Sequence, residues 1–332
     1  MPSPTLPRIP IADVRHPTDH LLTALHVAIL AGWPQDEPHQ PPPTFAMWCA
    51  DVRTPSSGDP ARLLVAPDAV GCALVELPSH DNPQVALAEL VVAPQHRRRG
   101  VGSALWAAVL DLARAERRRS VVCEARPGSA MEAFLEAQGA APQLVDVRRH
   151  QPIATLDLAA VRRLRADAER RAAGYRLEAW VGPTPVALRG ALAAATHALN
   201  DAPLGGLDYD AEVWDAGRVA ARDAAVAGAG LRMHTVLALA ADGEAAGYTD
   251  VAVSEDGTYA WQWGTAVAYA HRGHRLGMLM KATMVERLRA LEPALQVVAT
   301  WNADVNTHMI AVNEALGYVP VDRMREWQVT VA

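Results

Sequence analysis

Two stretches of the chain place arginine and glycine directly before a segment of helical periodicity, an order suited to holding a phosphate or pyrophosphate. The first is Val92-Ala-Pro-Gln-His-Arg-Arg-Arg-Gly-Val-Gly102, with Ser103 following. The second, 175 residues further on, is Val267-Ala-Tyr-Ala-His-Arg-Gly-His-Arg-Leu-Gly277. Glycines such as Gly100, Gly102, Gly273 and Gly277 let backbone N–H groups come close to a ligand, and the unpaired N–H groups of a helix start add partial positive charge. Arg97, Arg99, Arg272 and Arg275 crowd cations at that end, against the sign of the helix macrodipole, at a cost of about 0.3–1 kcal/mol each. A bound anion reverses that sign, and the recurrence of the pattern argues against two chance surface turns.

The second half carries further candidate chemistry. Gln262, Thr265, Asn302, Asn306, His308 and Asn313 fall on segments that flank the second turn. Unsatisfied polar groups at core positions cost about 1–3 kcal/mol, so such a cluster reads either as a site or as a set of strand and helix caps. The segment Asp201 to Asp215 is acidic and aromatic. Asp208, Tyr209, Glu212 and Trp214 in it could hold a cationic amine by charge and ring contact, or form a solvated loop. His16/His20 and His271/His274 have no third or fourth partner at metal-ligand spacing, so no metal site is expected. Cys49, Cys72 and Cys123 lie far apart and read as buried thiols. Lys281 is the only lysine, and it reads as a bias of codon usage without a function.

These residues need elements to position them, and the sequence supplies the same set twice. Each copy reads as strand, basic turn, amphipathic helix, strand, short helix and glycine. Val121-Val122-Cys123 and Met131 to Gly139 in the first copy answer to Val297-Val298-Ala299 and Met309 to Gly317 in the second. Ala86 to Val92 is a short apolar run suited to a largely buried strand. Leu105, Val109 and Leu112, and then Met280, Met284, Leu288 and Leu291, recur at helical spacing, with the methionines as core filler. Pro34 to Pro43 holds five prolines and reads as a loop. Asp157 to Ala173 reads as a bridging helix, and Tyr175 to Trp180 as the first strand of a second domain. The expected division is 1–155, a linker helix 156–174, and 175–332.

Arg97-x-x-Gly100-x-Gly102 after a strand resembles the acyl-CoA signature of the GNAT superfamily of N-acetyltransferases. Arg272 to Gly277 is similar, with Arg275 where a glycine is usual. Asn306 and Asn313 at a spacing of seven, and Leu316-Gly317-Tyr318, resemble the closing segment of that family. The resemblance implies two tandem α/β domains, each a mixed, mostly antiparallel splayed sheet flanked by helices, with acetyl-CoA as cosubstrate in the gap. Val92 or Val267 would pair with the pantetheine arm. A primary amine of a small molecule would attack the thioester directly, helped by a base and an acid. The first half has the cleaner turn, but Gly128 and Leu135 stand at the family's Asn and Tyr places, and Glu89 is its one candidate base. The second half, with Asn313 at the Tyr place, is the expected catalytic one. There Asn313 would donate to the departing sulfur, Asp250 or water would take the proton, and Gln262, Asn302 and Asn306 would line the site. A non-catalytic acyl-CoA-binding or sensing protein, or a scaffold that binds no CoA, stays open.

The 332 residues suggest two domains of ordinary size, and a composition half apolar and one-fifth charged is globular. A net charge of -6 gives no reason to expect a nucleic-acid partner. Met1 to Pro4 lacks the features of a signal peptide, and no apolar run suits a bilayer. The expectation is a cytoplasmic protein, monomer or homodimer, with acyl-CoA and a small amine as partners.

Overall fold

A computed structural model describes residues 9–55, 58–59 and 61–331; Met1 to Pro4 lie outside the described residues. In chain order the first part contains β1 (Ala12–Val14), α1 (Asp19–Asp36), α2 (Phe45–Arg53), β2 (Ala61–Val65), β3 (Gly71–Glu76), β4 (Val85–Val92), α3 (Val101–Ala115), β5 (Ser120–Ala125), α4 (Ala130–Ala137) and β6 (Ala141–Gln151). There follow α5 (Leu158–Arg171), β7 (Arg176–Val181), α6 (Arg189–Thr196), α7 (Ala216–Gly228), β8 (Arg232–Leu239), β9 (Ala245–Val253), β10 (Tyr259–Val267), α8 (Leu276–Leu291), β11 (Val297–Ala303), α9 (Thr307–Ala315) and β12 (Val319–Thr330).

The chain packs as two compact units. One comprises residues 1–143, 207–209 and 325–332; the other comprises 144–206 and 210–324. Strand order in the first unit is β1-β2-β3-β4-β5-β12, and every pair is antiparallel except β4 with β5. In the second, β7-β8-β9-β10 are antiparallel neighbours, β10 pairs β11 in parallel, and β11 pairs β6 antiparallel. The repeat is therefore one of topology as well as sequence.

The units depart from chain order at their last strands. β6 follows the first copy, yet Asp146–Gln151 pair with β11 in the second unit. β12 follows the second copy, yet Arg325–Thr330 pair with β5 in the first. Trp327, 3 % exposed, is a core residue of the first unit although it lies only five residues before the last residue of the sequence.

The cores follow from the periodicities. Leu105, Trp106, Val109 and Leu112 turn one face of α3 onto Ala86, Ala88 and Val121. Leu22, Leu25 and Ile29 of α1, with Trp48 and Val52 of α2, cover Leu63, Val65, Cys72 and Leu74 on the other face. α8 is buried almost all round and packs with α5, whose Val161 and Ala168 belong to the same core. Asp157 caps α5 by accepting from the N–H groups of Ala159 and Ala160. The proline-rich loop begins later than expected, because α1 runs through Pro34 to Asp36. Pro34 sits in its last turn, close enough to the end that the helix stops soon after it, and the Glu37 N–H closes the helix on the Trp33 carbonyl.

Candidate functional site: two split sheets and the carboxylates beside one of them

Each unit opens at its one parallel strand pair. In the first, Val85–Leu87 pair with Ser120–Val122, and β4 then continues alone on that side to Val92. In the second, Tyr259–Gln262 pair with Val297–Thr300, and β10 continues to Val267. A bulge in β10 between Gln262 and Thr265 bends the strand where the two part. Backbone groups of β4 and β10 beyond these points face a slot, and a slot lined by unpaired backbone needs a partner with amide-like donors and acceptors. Val92 and Val267 end the two strands at the mouths of the slots.

Above each mouth stands a helix start without a side-chain cap. Thr18, Thr44, Ser129, Asp157, Asp215 and Asn306 cap their helices, whereas α3 and α8, like the short α6, begin with no such bond, α3 at Gly100 and α8 at Arg275. Both turns use two left-handed residues, at places that correspond in the repeat. In the first they are Arg98 (φ 61°) and Gly100 (φ 85°); in the second, Gly273 (φ 86°) and Arg275 (φ 56°). Glycine and arginine have changed places while the backbone has kept its path. Arg275 thus bears a left-handed penalty of roughly 1 kcal/mol that Gly100 avoids, and its guanidinium is held by Asp167 of α5 at 2.7 Å. A Cβ at Gly102 or Gly277 would meet nothing closer than 3.7 or 3.9 Å. Packing within the protein therefore leaves the space over both helix starts open.

Arg97 and Arg272 brace the turns. Arg97 Nε donates to the Val92 carbonyl at 2.9 Å while its Nη1 donates to Asp36 at 3.1 Å. Arg272 Nε donates to the Val267 carbonyl at 3.2 Å, and its other end pairs with Asp201. Both arginines fix the strand end to the turn. Arg99 and Ser103 are exposed beside the first helix start.

The polar residues of the second unit come together but face inward. Gln262, 5 % exposed, donates to Thr249 Oγ1 at 2.8 Å and to the Asp250 carbonyl at 2.7 Å, and accepts from Lys281 Nζ at 3.1 Å. Thr265 shares a hydrogen bond with Thr249 at 2.7 Å. Asp250, 1 % exposed, accepts from Arg222 at 2.9 Å and from the Gly264 N–H at 2.6 Å. Burial raises its carboxyl pKa, and the neighbouring Arg222 opposes that rise. Asn313 is fully buried and donates to Asn302 Oδ1 at 2.5 Å, while its own Oδ1 has no partner. Asn306 caps α9 through the Met309 N–H. Trp261 is half-buried and Trp263 is 42 % exposed, so neither is fully in the core.

The acidic loop is divided. Asp208 and Tyr209 belong to the first unit, where Asp208 binds Arg119 at 3.2 Å and its N–H donates to Gln328 at 2.9 Å. Glu212 and Trp214 belong to the second. Trp214 Nε1 donates to Glu212 at 2.9 Å, and the ring already carries the guanidinium of Arg218 at 4.4 Å. The chain's own arginine thus takes the place expected for a ligand cation.

The first unit shows the reverse of the inward-facing set. Glu89 lies on β4 two residues past the last residue paired with β5, and its side chain is exposed. It pairs across β3 with Leu74, whose side chain packs beneath α1 and α2, so Glu89 points to that same face. Although open to solvent, it is walled closely enough that loss of hydration raises its pKa to about 7, with Asp51, Glu76 and Glu37 adding to the rise. Asp51 on α2 is likewise exposed and likewise raised to about 7. For Asp51 the causes are loss of hydration and the neighbouring Glu76. By the repeat, the counterpart of Glu89 is Gly264. A Cβ there would collide with the Tyr248 hydroxyl, because the buried Tyr248 phenol fills that place.

A twofold split sheet with an uncapped helix start over each split is the tandem form of the GNAT fold. Residues 22–140 match the acetyltransferase (GNAT) family model, and the fold of the whole chain is that of a tandem GNAT protein. Among solved structures it is similar to a tandem GNAT protein from the clavulanic acid biosynthesis pathway, at 26 % identity and TM-score 0.78 over 98 % of this chain and 99 % of that one. It shares its fold with a GCN5-related N-acetyltransferase from Sphaerobacter thermophilus, at 17 % identity and TM-score 0.61 over 97 % of each chain. It also shares it with a fungal GCN5-related glucosamine N-acetyltransferase region, at 13 % identity and TM-score 0.65, covering 97 % of this chain and 38 % of that one. No curated protein sequence matches the chain. Among the described residues no helix is long and apolar enough to cross a membrane, and no group of three or more His, Cys, Asp or Glu is placed to hold a metal ion.

Proposed function

We propose that the protein transfers an acetyl or other acyl group from acyl-CoA to the primary amine of a small, cationic acceptor, and that the chemistry takes place at the split of the first unit. The observation that carries this is Glu89, an exposed carboxylate on β4 just past the split, with a pKa raised into the neutral range. A base works best with a pKa near the working pH. An acceptor ammonium approaching Glu89, Asp51 and Glu76 is drawn by their charge, gives a proton to Glu89, and attacks the thioester carbonyl as a neutral amine. The C–N bond forms, the C–S bond breaks, and the leaving thiolate takes up the second proton lost from the attacking nitrogen, giving the amide and CoA thiol. A free thiol has a pKa of about 8.5, so departure near neutrality needs little help from an acid, in keeping with Leu135 at the family's Tyr place. Gly100, Gly102, Ser103 and the first N–H groups of α3 would hold the pyrophosphate, with Val92 beside the pantetheine.

Sequence reasoning places catalysis in the second half, on Asn313, Asp250 and Gln262. Their burial and mutual hydrogen bonds, and the Tyr248 phenol at the Glu89-equivalent position, move the proposal to the first. For the second split, the open helix start and the orphaned Asn313 Oδ1 support an acyl-CoA site without a small-amine acceptor. Thr265, Val267, Gly273 and Gly277 would line it. The test is thiol release from acetyl-CoA with a panel of amines. Turnover that depends on Glu89 supports the assignment, and turnover indifferent to it contradicts it.

A further inference from the structure

Lys281 lies where a lysine has no structural reason to be. It is 2 % exposed on α8, its Nζ donates to Gln262 Oε1 at 3.1 Å, and the Tyr318 ring centroid lies 4.9 Å away. No carboxylate among the described residues pairs with it. The first unit shows what the fold accepts at the same two places: the counterparts of Lys281 and, allowing for the bulge in β10, of Gln262 are Trp106, 2 % exposed, and Ala88, 4 % exposed. Both are apolar. Burying an unpaired amine costs several kcal/mol that an apolar side chain avoids. A polar pair kept where its repeat is apolar points to chemistry rather than packing.

The position suggests which chemistry. Gln262 is the last residue of β10 paired with β11 before the second split opens. From Val267 at the mouth to Gln262 at the closed end, β10 runs roughly 16 Å at 3.3 Å per residue. A CoA whose pyrophosphate sits on the start of α8 and whose arm follows β10 would bring its thioester toward this closed end. Asn302 and Asn313 lie on the other wall.

We propose that Lys281 is an acyl acceptor, taking the acyl group of an acyl-CoA held in the second split to form an amide at Nζ. The inference rests on the reading of that split as an acyl-CoA site. The Nζ lone pair forms the C–N bond to the thioester carbonyl carbon, and collapse of the tetrahedral adduct breaks the C–S bond. CoA thiolate leaves and takes up the proton lost from nitrogen, giving CoA thiol and N-acyl-lysine. Burial lowers the Lys281 pKa to about 7, so the amine is neutral and nucleophilic at mildly basic pH. The absence of room for a free amine beside Gly264 leaves the protein's own amine as the acceptor.

The experiment uses the full chain incubated with acetyl-CoA and no amine at pH 8, read by intact mass and peptide mapping. The expected result is one acetyl group per chain, on Lys281, the only lysine. Gly277→Glu, which obstructs the helix start, should lower labelling by acetyl-CoA about tenfold or more while leaving reaction with N-hydroxysuccinimidyl acetate in place. Lys281→Met should fold, bind CoA and take no label. Calorimetry with CoA separates the two ways of failing. Two bound CoA per wild-type chain, one in Gly277→Glu, and no acetyl on Lys281 would overturn the proposal and keep the second split as a CoA site. The same single site in wild type and Gly277→Glu would overturn both. Label confined to the N-terminal amine also overturns the proposal.

Discussion

Replacing Glu89 with glutamine keeps the shape of the side chain and removes the proton acceptor. If Glu89 takes the amine's proton, Glu89→Gln should lower kcat by about 10²–10⁴-fold, the range over which a positioned base contributes. The wild-type rate should climb with pH through a midpoint of about 7. One pH unit below that midpoint the rate falls to roughly a tenth of the plateau, since only the carboxylate can act. Asp51 is among the charges that raise the Glu89 pKa. Asp51→Asn should therefore move the midpoint to lower pH. Stability supplies an independent reading with a definite sign. In the folded protein the Glu89 and Asp51 carboxyls keep protons up to about pH 7, whereas the unfolded chain releases them near ordinary carboxyl values. The folded state binds more protons in that window, so the contribution of these groups to stability falls as pH rises from about 4 to about 7 and stays low above it. Glu89→Gln should accordingly raise Tm at pH 8 while it lowers turnover. The assay is thiol release from acetyl-CoA against diamines, aminosugars and amino acids at saturating substrate. A flat wild-type profile between pH 6 and 8, or a Glu89→Gln variant within about threefold of wild type, would refute the assignment.

Gly102→Glu places a carboxylate over the first helix start and should abolish turnover, whereas Gly277→Glu should reduce the CoA stoichiometry from two to one; calorimetry and kinetics on the two variants check this. Gly264→Ala forces a Cβ against the Tyr248 hydroxyl and should destabilise the protein by about 1–3 kcal/mol in denaturant unfolding, the usual cost of overpacking. Trp327→Ala removes a ring from the core of the first unit and should cost about 3–5 kcal/mol. Turnover should then fall at lower temperature than in wild type, although residue 327 is far along the chain from Glu89.

The parts of the site that the sequence showed are those built from neighbours in the chain. The basic turns were legible because Arg97 to Gly102 and Arg272 to Gly277 form local structure, and the duplication weighed them against chance. The structure adds that Arg275 keeps the left-handed backbone of Gly100, so a residue unlike the family pattern need not change the turn. Asn306 also acts locally, as the cap of α9. The parts that stayed hidden depend on residues brought together across the fold. The basicity of Glu89 is set by hydration and by Asp51 on another element, which a strand pattern does not contain. The inward turn of Asp250 and Gln262 depends on Arg222 and Lys281, and polarity alone does not separate a site from a satisfied network. The strand exchange was illegible because alternation fixes which face of β6 or β12 is buried, not which strand lies beside it. Lys281 did leave a signal. It is a lone cation inside the run Leu276 to Val285, on a helix whose other residues there are mostly buried.

The central claim, acyl transfer beside Glu89, is tested most directly by a crystal structure of the full chain with a non-hydrolysable acetyl-CoA analogue and an amine that supports turnover. The account predicts an analogue in the first split, its pyrophosphate on the N–H groups after Gly100 and the acceptor nitrogen between its acyl carbonyl and the Glu89 carboxylate. An acceptor seated instead beside Asp250 in the second unit, with the first split holding no acyl group, would contradict it.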